Sequence, residues 1–122
     1  MKPALSNSIN AELALAGAGH AMTFTFYGVQ LAANFVLLNP QRMAASMREA
    51  RAHLWNLSLV AEAPDLLIRP NRLELFAGVR IDDSRARGVI EELAVEAKCR
   101  HVGVTRVESS EHAAEQIVAI AA

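Results

Sequence analysis

Three short groups of residues carry the side chains from which this chain could build chemistry. Asp82-Asp83-Ser84 sets two adjacent carboxylates beside a hydroxyl, a pairing chemically suited to a hard cation. Cys99-Arg100-His101 sets a thiol and an imidazole two residues apart. On an extended strand these would share a face, and His112 could approach from a following helix. The third group is His20, an imidazole after Gly17-Ala18-Gly19. Arg80, Arg85 and Arg106, with Arg87 and Arg100, could gather near the sheet's edge to grip a phosphate or carboxylate.

Each group also has a plainer reading. Carboxylates and a serine at a helix start cap the exposed amide groups and suit the positive end of the helix dipole, worth about 1 kcal/mol. Zinc takes about four N/S ligands at recognisable spacing, and Cys99, His101 and His112 make a partial set. A nucleophilic thiol needs a lowered pKa, and a core cysteine is the simpler assignment. The arginines are interleaved with Glu91, Glu92, Glu96 and Glu108, as on a solvated mixed-charge face. No metal, cofactor or catalytic set is therefore expected.

The elements that must position these residues are read from periodicity. Leu73, Leu75, Ala77, Val79 and Ile81 alternate with Glu74, Phe76, Gly78 and Arg80, the period of a strand. A helix follows, with Ala86, Val89, Ile90, Leu93 and Ala97 on one stripe. Residues 102–107 form a second strand, and Ser109 or Ser110 caps a last helix. A strand–helix–strand connection of this length implies a parallel pair. Leu66-Leu67-Ile68, followed by Arg69-Pro70-Asn71-Arg72, reads as the first arm of a β-hairpin.

In the first half, Met43, Met47, Ala50, Leu54 and Leu57 mark a helix over roughly residues 41–62. Residues 13–41 contain no Asp, Glu, Lys or Arg, a run longer than the ~20 residues a membrane helix needs. His20, Thr23, Thr25, Gln30 and Asn34 would need partners inside lipid. A buried helix or helical hairpin sealed against a second subunit is the expected form, although periodicity leaves residues 22–38 open between helix and strand. The expectation is one α+β domain: a helical half over about residues 1–63, packed on a small mixed sheet built by residues 65–122 as a β-hairpin and a β-α-β-α unit.

Two segments resemble known families. Within residues 79–117, Val79-Arg80-Ile81-Asp82-Asp83-Ser84-Arg85-Ala86-Arg87, then a helix, a short strand and Ser109-Ser110-Glu111-His112, resembles the opening of a response-regulator receiver domain. That resemblance makes Asp82 and Asp83 the positions of the acidic turn that helps hold Mg²⁺. The family's phosphoacceptor aspartate and its lysine lie on later strands, so a complete phosphorylation site is not implied. The segment Leu15-Ala16-Gly17-Ala18-Gly19-His20, with the helices expected after it, resembles the dimerisation hairpin of sensor histidine kinases. His20 would match the phosphoacceptor, with Ala21 where those kinases usually carry an acidic residue.

Composition narrows the function classes. The chain has 122 residues, 52% hydrophobic and 20% charged, and a net charge of −1, which gives no electrostatic pull toward nucleic acid or anionic membrane. Its single cysteine cannot form an internal disulfide, and a reducing cytoplasm is the expected compartment. No phosphate-binding loop, dinucleotide fingerprint, nucleophile elbow or H-E-x-x-H motif is present. The resulting expectation is a non-catalytic regulatory or adaptor module, homodimeric, with Trp55 and Phe35 as interface candidates and another signalling protein as possible partner. The alternative is a small enzyme or ligand-binding domain with a pocket near Asp82, Asp83 and His101.

Overall fold

The computed structural model describes residues 7–14, 21–62, 69–79 and 84–121, with side chains from residue 22 onward apart from Ser84 and Arg85. Five strands form one sheet in the order β1-β2-β3-β4-β5. These are β1 (Asn7–Ala14), β2 (Ala21–Gly28), β3 (Leu31–Leu38), β4 (Arg72–Val79) and β5 (Gly103–Val107). Strands β1, β2 and β3 run antiparallel to one another, whereas β3, β4 and β5 are parallel. A short 3₁₀ turn (Pro40–Arg42) and helix α1 (Met43–Glu62) link β3 to β4. Helix α2 (Ser84–Lys98) lies between β4 and β5, and helix α3 (Ser110–Ala121) follows β5.

Both sheet faces are covered. Leu75, Ala77 and Val79 of β4 join Met22, Phe24 and Leu38 in a large core under α1 and α2. On the opposite face, Phe76 packs with Phe26, Leu31 and Val107 under Ala113 and Ile117 of α3. Each fully buried Leu or Phe contributes about 1.5–3 kcal/mol. The α1 stripe read from sequence is the buried one: Met43, Met47, Ala50, Leu54 and Leu57 all face the core.

The helical first half is the main correction. Residues 7–38 contribute three strands, and α1 is the one helix described there beside the 3₁₀ turn. Strand β3 is buried at nearly every position, so Leu31 to Leu38 is an uncharged run, polar only at Asn34, with no alternation to read. In β2 the alternating Thr and Phe residues do mark a strand, as β-branched and aromatic residues favour. The apolarity of residues 22–38 is accounted for inside the domain, which removes it as an argument for a second subunit. No helix among the described residues is long and apolar enough to cross a membrane.

The expected β-hairpin is also corrected. Strand β4 is hydrogen-bonded to β3 on one side and β5 on the other, so neither edge is open to a hairpin partner; residues 66–68 lie outside the described residues. The tight turn belongs instead to β2 and β3, across Val29 and Gln30. It is tied to the start of β4 by Asn71 N–H to Val29 O (3.0 Å), Arg72 N–H to Gln30 O (3.1 Å) and Asn71 Nδ2 to Gln30 Oε1 (2.9 Å).

One seam of the sheet uses side chains in place of main chain. The β2–β3 pairing runs through Tyr27↔Ala32 and Phe26↔Ala33 and stops. Beyond it, Asn34 Oδ1 accepts from Thr25 N–H (3.0 Å) and Thr25 Oγ1 accepts from Phe35 N–H (3.2 Å). Asn34 is fully buried, and its Nδ2 has no partner among the described residues.

Candidate functional site

The parallel register of β4 and β5 sets the geometry of the candidate residues. Glu74 pairs with Gly103 at the amino end of the two strands. A Cβ on Gly103 would fall 2.7 Å from Cδ and Oε1 of Glu74, so the glycine makes the room this carboxyl occupies. Glu74 is 7% exposed. Its Oε1 accepts from Arg72 Nη2 at 2.7 Å, and Oε2 is buried with no donor among the described residues. A carboxylate oxygen left this way costs about 1–3 kcal/mol or more.

Around this carboxyl lies a cavity of about 430 Å³, walled by Arg69, Asn71, Arg72, Glu74, His101 and Gly103 with the end of α1. Its volume falls in the range of small-ligand sites. Arg69 caps the end of α1 by long bonds from Nη1 to Val60 O (3.5 Å) and Ala61 O (3.3 Å), a favourable place for a cation. Nearby, burial raises the Tyr27 phenol above its ordinary value, and the Arg69 charge acts the other way.

His101 enters this wall from an unusual backbone position. The end of α2 closes with Val102 N–H to Ala97 O (2.9 Å) and His101 N–H to Lys98 O (3.2 Å), the bond pair of a Schellman cap. The residue at its left-handed position is normally glycine, yet here His101 has φ 61°. Histidine tolerates this region better than most residues, but the conformation still costs of order 1 kcal/mol.

The same turn forms one wall of a second cleft, between α1 and α2, with Trp55, Glu62, Val95, Glu96, Cys99 and Arg100. Trp55 is 53% exposed, and the Arg100 guanidinium carbon lies 5.2 Å from its ring centroid, within cation–π range. Arg51 bridges the two helices to Glu92 (3.5 Å) and Glu96 (3.3 Å).

The structure thus scatters residues the sequence had grouped. Cys99, Arg100 and His101 form a turn, so the shared strand face does not exist, and Cys99 is exposed where a core cysteine was expected. His112 sits at the other end of β5, roughly 16 Å away along a five-residue strand. There its Nδ1 accepts from Glu108 N–H (3.1 Å) while Ser109 Oγ accepts from His112 N–H (3.1 Å), so Ser109 caps the start of α3 and the imidazole takes the amide just before it. No group of three or more metal-ligating side chains exists among the described residues. Arg106 is exposed near the carboxyl end of β5, away from His101.

Other candidates fall differently. His20, Arg80, Asp82 and Asp83 lie outside the described residues, as does the Arg85 side chain. The connection holding His20 is flanked by antiparallel strands paired at Ala14↔Ala21, which replaces the helical hairpin expected around it. Phe35 is half-buried against the smaller core under α3, and Trp55 is the more exposed of the two interface candidates. Glu74 is the residue the sequence reading passed over. An acidic residue two positions from an arginine on one strand face, inside an otherwise apolar strand, was the available signal.

Open α/β sheets usually bind ligands at the carboxyl ends of their strands; the cavity around Glu74 lies at the amino ends of β4 and β5. No protein-family model, no curated protein and no solved structure matches this chain.

Proposed function

We propose that this protein is a non-catalytic regulatory or adaptor module that works by protein–protein contact, self-associating through the α1–α2 face. The observation that carries the reading is Trp55, the largest side chain in the molecule, left half exposed in a cleft and held by Arg100. Tryptophan and arginine are the residue types that dominate interface energetics. The cleft also mixes signs, with Glu62 and Glu96 beside Arg100. A two-fold copy can complement such a surface with itself, because each patch meets its own counterpart. Exposed Val95 adds apolar area next to the indole. A signalling protein is the partner class expected from the sequence, and binding it requires no chemistry from this chain. The lone exposed thiol of Cys99 suits a reducing cytoplasm.

Light scattering and sedimentation at micromolar concentration test the proposal. The expected result is a dimer whose dissociation constant rises by about 30-fold or more in Trp55→Ala, since a central aromatic anchor is worth about 2 kcal/mol or more. Trp55 is the only tryptophan, so its emission should shift to shorter wavelength as concentration rises. A strict monomer with concentration-independent emission overturns the reading.

A further inference from the structure

We propose that His101 is a contact residue for a second copy of the chain, its imidazole paired across a two-fold axis with the second copy's Glu62. This pairing rests on the self-association through the Trp55 cleft and fixes how two such clefts meet. Among the described residues, His101 is the one non-glycine residue with a positive φ, 61°. It occupies the helix C-cap position where glycine is usual, and glycine there would be free of strain. Residues held in this region cluster at sites where the strain serves contact or function. Within one chain the imidazole has no such use. It is exposed and makes no hydrogen bond or ion pair among the described residues.

The carboxylates around His101 divide by their partners. Glu96 of α2, in the same cleft, is held by Arg51 at 3.3 Å. Glu74, in the adjoining cavity, is held by Arg72 at 2.7 Å. Glu62, the last residue of α1, is exposed in the Trp55 cleft and has no ion pair among the described residues. A carboxylate at the C-terminal end of a helix also opposes the helix dipole, so a cation brought to Glu62 is favourable twice over. The nearby cations are already engaged. Arg100 lies over the Trp55 ring at 5.2 Å, and Arg69 donates to the carbonyls of Val60 and Ala61. Cys99, beside His101 in the turn, offers no cation.

One cleft thus holds an imidazole and a carboxylate that do not meet within the chain. A two-fold copy joins them twice: where His101 touches the second copy's Glu62, Glu62 touches the second copy's His101. A substitution at either position therefore removes two contacts. Histidine gains its charge as pH falls through the range just below neutrality, so association through this pair tightens on mild acidification.

Sedimentation equilibrium on the full chain, at about pH 7.5 and about pH 6, tests the pair. The proteins compared are the parent, Trp55→Ala, His101→Gly, His101→Asn, Glu62→Gln, and His101→Gly combined with Glu62→Gln. Glycine and asparagine both suit the left-handed region, so neither His101 variant should lower the urea midpoint. The expected result at the lower pH is a dissociation constant raised about fivefold by each change at His101 or Glu62, since two exposed pairs are lost together. The combined variant should be no weaker than the weaker of its two single changes. The parent should associate about threefold more tightly at the lower pH, and both His101 variants should lose that dependence. A parent dimer that Trp55→Ala disrupts, but that changes at His101 and Glu62 leave intact, overturns the pair while the Trp55 reading stands. A loss at only one of the two positions, or strictly additive losses, overturns it in the same way. A parent that stays monomeric at every concentration overturns the Trp55 reading and the pair with it.

Discussion

Replacing Gly103 by alanine probes the packing of the Glu74 carboxyl over this glycine. The new methyl carbon would lie 2.7 Å from both Cδ and Oε1 of Glu74, and closer still to Oε2. All three atoms of the carboxyl group are too near, so a twist of its last torsion cannot relieve the overlap and the whole group must swing away. That movement breaks the 2.7 Å bond to Arg72. Because the Arg72 side chain is 54% exposed, solvent screens the pair, and the loss is about 1 kcal/mol, not the value of a fully buried charge pair. Residual crowding adds up to about 1 kcal/mol. Against this, alanine restricts the unfolded chain and returns about 0.4–1 kcal/mol. The net expectation is a loss of about 1 kcal/mol, or roughly 3–6 °C in melting temperature for a chain of this size.

The sharper expectation is a change of sign. In a Glu74→Ala background the obstacle is gone, and Gly103→Ala should then stabilise by about 0.4–1 kcal/mol. Urea unfolding of the four proteins, with equal m-values confirming a common denatured state, gives the coupling directly. A neutral effect of Gly103→Ala in the parent, or the same cost in both backgrounds, would refute the packing of Glu74 over Gly103.

Two other perturbations test the frame. Asn34→Ala removes the acceptor of the Thr25 amide and should cost about 1–3 kcal/mol; combined with Thr25→Val it should be non-additive, since Thr25 N–H bonds to Asn34 and the Thr25 hydroxyl accepts from the next amide, Phe35 N–H, in one seam, and strict additivity in urea denaturation would argue against the seam. His53 is held below its ordinary value of 6.5, chiefly by burial, with Glu49 acting in the opposite direction. The unfolded chain then binds its proton more readily than the folded one, so the contribution to stability is complete above 6.5 and is lost as pH falls through the depressed folded value. The urea midpoint should fall between neutral pH and about pH 5, and the fall should be smaller in His53→Gln.

What could be read from sequence follows from where each element lies in the layers. Helix α1 has a buried stripe and a solvated face, so Met43, Met47, Ala50, Leu54 and Leu57 announced it. Strand β4 gave the clearest alternation even though both faces are covered, because Glu74 and Gly78 interrupt the second face. Strand β3 has no such interruption on residues 31–33, and its uncharged run matched a buried helix equally well. Strand β1 carries Ile9 and Leu13 four residues apart, a helical spacing that sheet pairing with β2 overrides. For the candidate site, His101 was noticed but grouped with Asp82 and Asp83 at the other end of β4, and Arg69 and Arg72 were read only as turn residues. Only the parallel register of β4 with β5, a tertiary fact, brings Glu74, Gly103 and His101 together.

The two cores differ in size, and the difference bears on how the molecule opens. Under α1 and α2 the apolar cluster runs from Met22 to Val102, whereas α3 is held among the described residues by Ala113, Ile117 and the flanking Ile120 and Ala121. The last helix is therefore the layer with least holding it, and its detachment costs less than global unfolding. Amides of α3 should exchange with solvent through this partial opening while those of β3 and β4 wait for the whole domain. When α3 lifts, Phe26, Leu31 and Phe76 lose the cover of Ala113 and Ile117 together, an aggregation-prone surface that α3 keeps shut.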